Sequence, residues 1–165
     1  MTCKRRGTEG FTLIELLVVI AIIGILSSVV LTSVNSARTK GRDARRVSDI
    51  KQIGLALALY YDDHGSEYPD SICSTVVNGS CTSSMLAPAY FSFAPNDPLA
   101  TGVTYLYFYD NLTSADGTCA EATDICDMYI LGATIESTSY APLEQDIDGT
   151  VQGISCDDPV FCKRP

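Results

Sequence analysis

One histidine, no CxxC pair, no proline between Phe11 and Pro69, and almost no positive charge beyond residue 62: each shortage closes something off. Without CxxC spacing, and with His64 as the sole imidazole, the usual ligand pattern of a structural zinc site is missing. The same lack leaves no nucleophile–base pair, so no enzyme is expected. Paired acids such as Asp62 and Asp63 sit at adjacent helix positions and diverge. His64, just past the helical pattern, reads as a solvated cap. From Asp62 onward 16 acids stand against only Lys163 and Arg164. Phosphate contacts need Lys and Arg, so direct nucleic-acid binding by this acidic part is not expected. The proline gap leaves nothing to break a helix across that interval.

What the chain does have is a membrane-length apolar run. Residues 11–34, "FTLIELLVVIAIIGILSSVVLTSV", would span about 36 Å as a helix, enough to cross a bilayer. A carboxylate inside it, Glu15, costs several kcal/mol in hydrocarbon unless something pairs with it. The first ten residues carry +2 and residues 35–51 carry +4, although the whole chain of 165 residues is −9. The leading Lys4, Arg5 and Arg6 favour a single-pass topology with residues after the run on the extracytoplasmic side, against the pull of the second basic cluster. A cleaved secretory signal fits less well, because the run is too long and no small-residue cleavage site follows it.

Val47, Ile50, Ile53, Leu57 and Tyr60 or Tyr61 continue at helical spacing, with Arg46, Asp49, Lys51 and Gln52 assigned to the opposite face. Gly65 and Pro69 mark the stop. The expected organisation is residues 1–10 as a leader, 11–34 as a membrane helix, 35–64 as an amphipathic helix and 65–165 as a small extracytoplasmic head. Residues 70–102, rich in Ser, Pro, Asn and Gly, read as loops. "VTYLYFYD" at 103–110 and "MYILGATIES" at 128–137 read as antiparallel strands, and "GTVQGIS" at 149–155 as a weaker third. The fold class is therefore α+β: a long N-terminal helix packed on a small antiparallel sheet. Cysteines 73, 81, 119, 126, 156 and 162 lie in three close pairs, which reads as a disulfide framework in an oxidising space. Nearest-neighbour pairing (Cys73 with Cys81, Cys119 with Cys126, Cys156 with Cys162) is the expectation, while spacing alone leaves the other pairings open.

The stretch "RRGTEG" followed by "FTLIELLVVIAIIGIL" resembles the class III signal peptide of type IV prepilins and type II secretion pseudopilins, and "DARRVSDIKQIGLALALYYDDHGSEYP" is similar to the helix and following turn of major pseudopilins. The resemblance implies a pilin-like, disulfide-stabilised fold. It implies cleavage between Gly10 and Phe11 by a prepilin peptidase, N-methylation of Phe11, and loss of Cys3 with the leader. It also implies an inner-membrane pool, an assembly platform, and a filament built from copies of this chain and related pilins. In that filament Glu15 of one subunit would meet the Phe11 amine of a neighbour; the rival is that Glu15 merely snorkels to the interface. The family's usual proline is replaced by Thr32, so a straighter helix is expected.

Asp146 and Asp148, with Gly149 behind them and Asp157 and Asp158 downstream, could hold calcium in a late loop, as major pseudopilins do; a solvated acidic turn fits the same residues. No other cofactor is implied. Three functions follow: a structural subunit of a type IV pilus-like filament, a pseudopilin acting in protein secretion, or a membrane-anchored ligand-binding or sensor domain that never polymerises.

Overall fold

The computed structural model describes residues 11–77, 80–84, 86–91, 95–99, 107–115, 117, 119 and 124–165, with only the backbone of 74–84. The chain divides after Arg38 into two compact units. The helix α1 runs Leu13–Asp63. Its first stretch, up to Arg38, is apolar and almost wholly exposed, and qualifies by length and composition as a membrane span. No break occurs at Thr32. There the hydroxyl donates to the Val29 carbonyl (2.9 Å), and Ser28 donates likewise to Ile25 (2.8 Å), so neither hydroxyl needs a partner from lipid.

In the second unit α1 continues with a buried stripe of Val47, Ile50, Ile53 and Leu57. The helix ends where the sequence supplies Gly65 at φ 71°, and the Ser66 N–H closes back on the Tyr61 carbonyl (3.1 Å). Beyond it lie β1 (Cys73–Val77) and β2 (Ser80–Ser84), an antiparallel hairpin. β3 (Tyr107–Leu112), β4 (Met128–Thr134) and β7 (Val160–Lys163) form an antiparallel sheet in the order β3-β4-β7. β5 (Thr150–Val151) and β6 (Ile154–Ser155) form a separate small hairpin.

The architecture is α+β, a long helix with a small antiparallel sheet and disulfides. Three details differ from the sequence reading. Residues 70–102 hold the β1–β2 hairpin rather than loops alone. The sheet's third strand is Val160–Lys163, which pairs with Leu131–Thr134; residues 149–155 instead turn back on themselves through Gln152 and Gly153, both at positive φ. Arg46 and Asp49 are buried rather than on the outer face of α1, because each finds a hydrogen-bonding partner within the head. Residues 103–106, read as the start of a strand, lie outside the described residues.

The sheet separates two cores through its period of two. Tyr129, Leu131 and Ala133 of β4 join Ile50, Ile53, Leu57 and Phe161 on the α1 side. On the other face Ile130 joins Leu112, Val151, Cys156 and Cys162. Helix exit and strand entry are tied by the Tyr68 N–H, which donates to the Cys126 carbonyl at 2.8 Å.

Candidate functional site

Phe11 is exposed; Gly10, the other half of the expected cleavage junction, and residues 1–9 lie outside the described residues. Thr12 and Glu15 form a capping box. The Glu15 carboxylate accepts from the Thr12 N–H (2.8 Å) and hydroxyl (2.7 Å), while the Thr12 oxygen accepts from the Glu15 N–H (3.3 Å). Orphan donors of the first turn are thus satisfied reciprocally. In the single chain Glu15 is therefore hydrogen-bonded within its own turn. The signal for this, Thr-x-x-Glu, is local and readable in "TLIE", although the sequence reading weighed Glu15 as a charge that either meets a neighbour's amine or snorkels to the interface.

Two cysteine pairs are bonded as nearest neighbours, Cys119–Cys126 and Cys156–Cys162, each with Cα atoms 5.7 Å apart. Cys73 is also disulfide-bonded. The Cys81 side chain lies outside the described set.

The late acidic loop gathers three of its four candidate carboxylates. Oxygens of Asp146, Asp148 and Asp158 lie within 4.8 Å of one another. Asp157 stands apart, because its oxygens accept from the Gly149 N–H (3.2 Å) and the Ser155 hydroxyl (3.2 Å), at the open end of the β5–β6 hairpin. Asp146 is the informative member. Its Oδ2 accepts from the Cys162 N–H (2.9 Å), while its Oδ1 is buried with no hydrogen-bond partner. Burial pushes this carboxyl above its ordinary range, the Cys162 N–H pulls against that, and the charges of Asp148 and Asp158 push it further up. A carboxylate with one orphaned buried oxygen, grouped with two more carboxylates, fits a hard divalent cation with oxygen ligands.

A charged cluster that the sequence reading missed sits at the start of the head. The Arg46 guanidinium, fully buried, donates to both oxygens of Asp97, to Asp43 Oδ1 (2.7 Å) and to Glu136 Oε1 (2.7 Å). Arg42 grips the same Glu136 through Nε and Nη2. Asp43 in turn accepts the backbone N–H groups of Glu136 (2.9 Å) and Ser137 (3.1 Å), and Asp97 accepts that of Leu99 (2.7 Å). The two guanidinium groups, Arg42 first, hold the Glu136 carboxyl down to about 2 despite partial burial. Asp43 is an i,i+3 neighbour, but Asp97 and Glu136 lie 51 and 90 positions from Arg46, so no local pattern announces them. Next to this cluster Tyr107 donates its hydroxyl to Asp49 (2.7 Å), and burial, then that bond, raise its pKa.

The family described as "Prokaryotic N-terminal methylation motif" matches residues 5–31. The chain is 41% identical over 66 residues to the type II secretion system core protein G of Klebsiella michiganensis, covering 40% of this chain and 46% of that protein. It is 40% identical over 68 residues to the protein of the same name from Pseudomonas aeruginosa, covering 41% and 47%. Over 62 residues it is 43% identical to that of Escherichia coli, covering 37% and 41%. The chain thus spans less than half the length of these curated relatives. No solved structure matches it.

Proposed function

We propose that this chain, by its N-terminal segment a member of the type IV prepilin and pseudopilin family, is a structural subunit of a type IV pilus-like filament. The single observation that carries the reading is the methylation motif over residues 5–31, with Glu15 placed in the first turn of an exposed apolar helix. A prepilin peptidase cuts between Gly10 and Phe11 and methylates the new amine. The apolar part of α1 holds the subunit in the inner membrane, with the head on the extracytoplasmic side. An assembly platform then packs the helices of successive copies, and of related pilins, into a filament core. There Glu15 exchanges its Thr12 partners for the Phe11 amine of a neighbour. A repeated, non-closing contact of this kind makes a filament rather than a ring.

A second reading has its own support: the similar proteins are named type II secretion system core protein G, which favours a pseudopilin acting in protein export. In either setting the role is mechanical, and Asp146, Asp148 and Asp158 would hold a calcium ion that neutralises their mutual repulsion and steadies the loop before β7. Replacing Glu15 with Leu tests the core claim. Electron microscopy should show filaments lost at unchanged membrane levels of the subunit. Filaments as abundant as in the wild type would refute it.

A further inference from the structure

Outside the apolar span, the described residues expose three large hydrophobic side chains: Leu55 (65%), Leu59 (46%) and Ile125 (66%). They form two patches of unlike character. Leu55 and Leu59 are one turn apart on the face of α1 directed away from the buried stripe of Ile50, Ile53 and Leu57. One turn before Leu55 on that face is Lys51, exposed and without an ion pair among the described residues; Asp62 lies one turn beyond Leu59. Ile125 stands on the strap between β3 and β4, fixed on its C-terminal side by the Cys119–Cys126 disulfide. Its surroundings are acidic: Asp124 beside it is exposed and, with Glu67 and Asp70, lines one surface depression.

We infer that the Leu55–Leu59 face of one head receives the Ile125 strap of a second copy, with Asp124 directed to Lys51. The inference rests on the filament reading and deepens it by naming the head-to-head contact. Charge complementarity selects the occupant. Of the described exposed cations of the head, Lys40, Arg45 and Lys51, the last stands one turn from the exposed Leu55, so an acidic strap with an apolar tip finds both partners there. The charge at the two ends of the Leu55–Leu59 face also fixes direction, because Asp62 disfavours the opposite seating. Two different patches on one molecule make a heterologous contact, which propagates instead of closing. The area is far below the roughly 800 Å² per partner of a freestanding interface, so the contact sets the register of heads whose helices are already packed together.

The experiment uses the full chain in cells that assemble it, with the photo-crosslinking residue p-benzoylphenylalanine in place of Ile125. Illumination of sheared filaments should give dimers of this chain, joined through the peptide that contains Leu55 and Leu59. Leu55→Asp should lower that crosslink about ten-fold, the loss expected when a buried leucine becomes a charge. Lys51→Glu should lower it too, and Asp124→Lys in the same chain should restore it. Filaments in which position 125 crosslinks to another segment, to another protein, or to nothing overturn the docking and leave the filament reading standing. A wild-type chain that forms no filaments overturns the filament reading, and the docking with it.

Discussion

Arg46→Leu strips one buried guanidinium from three carboxylates. Asp43 keeps the Glu136 and Ser137 N–H groups, Asp97 keeps that of Leu99, and Glu136 keeps Arg42. What is lost is charge neutralisation of Asp43 and Asp97, both buried. Breaking a buried ion pair from one side costs about 3–5 kcal/mol, a large part of the roughly 5–15 kcal/mol that stabilises a typical domain. For a head of this size the midpoint of thermal unfolding should fall by about 15 °C. Arg46→Lys keeps the charge but not the planar fork that serves Asp97 through two nitrogens, so its loss should be intermediate. The assay is near-ultraviolet circular dichroism of the detergent-solubilised chain. The chain has no tryptophan and its nine tyrosines all lie between residues 60 and 140, so the signal reads the head alone. Because the cluster is buried, the drop should persist in high salt. An Arg46→Leu midpoint within about 3 °C of the wild type would refute the reasoning.

Other expectations follow from the same geometry. Glu136 has its folded pKa held at about 2, below its ordinary 4.5, so its contribution is fully present above the ordinary value and is lost as pH falls through about 2. The midpoint difference between wild type and Glu136→Gln should therefore shrink as pH is lowered from about 5 to 2, and a constant difference would contradict the assignment. Calcium should raise the wild-type midpoint and EDTA reverse it. Asp148→Asn with Asp158→Asn should abolish the response while leaving the Asp146–Cys162 bond in place. An unchanged melt with and without calcium would remove the cation from the loop. A Cβ at position 132 would stand 2.5 Å from the Phe161 carbonyl oxygen and press on the Phe108 ring. Gly132→Ala should thus cost about 1–3 kcal/mol by urea unfolding, with Phe108→Leu recovering part of it, and a neutral result would argue against this packing.

The sequence disclosed what is locally encoded. Helical spacing from Val47 to Leu57 and the stop at Gly65 gave α1 nearly to the residue, and the aromatic alternation around Tyr107–Asp110 and the run at Met128–Thr134 gave the central strand pair. The β1–β2 hairpin escaped because its strands are rich in Ser and Thr, although Asn78-Gly79 between Val77 and Ser80 is a hairpin turn signal. β7 escaped because four residues, one of them Lys163, carry too little pattern; pairing with β4 and the Cys156–Cys162 bond define it. Arg46 escaped for a more general reason. A charge is placed outside by default, and only partners brought together by the tertiary fold make burial tolerable. The acidic loop was visible as composition, whereas the separation of Asp157 from the other three depends on the closure of the β5–β6 hairpin at its open end.

Asp43 and Arg46 have a mechanical consequence. Asp43 clasps the backbone just past β4, and Arg46 fastens the same turn of α1 to Asp97 and Glu136. A pull along α1 within the head would load these bonds together, in parallel, before the apolar contacts of Ile50, Ile53 and Leu57 could slide. The cluster is a rivet between rod and plate: traction on the helix is passed to the sheet at its first point of attachment.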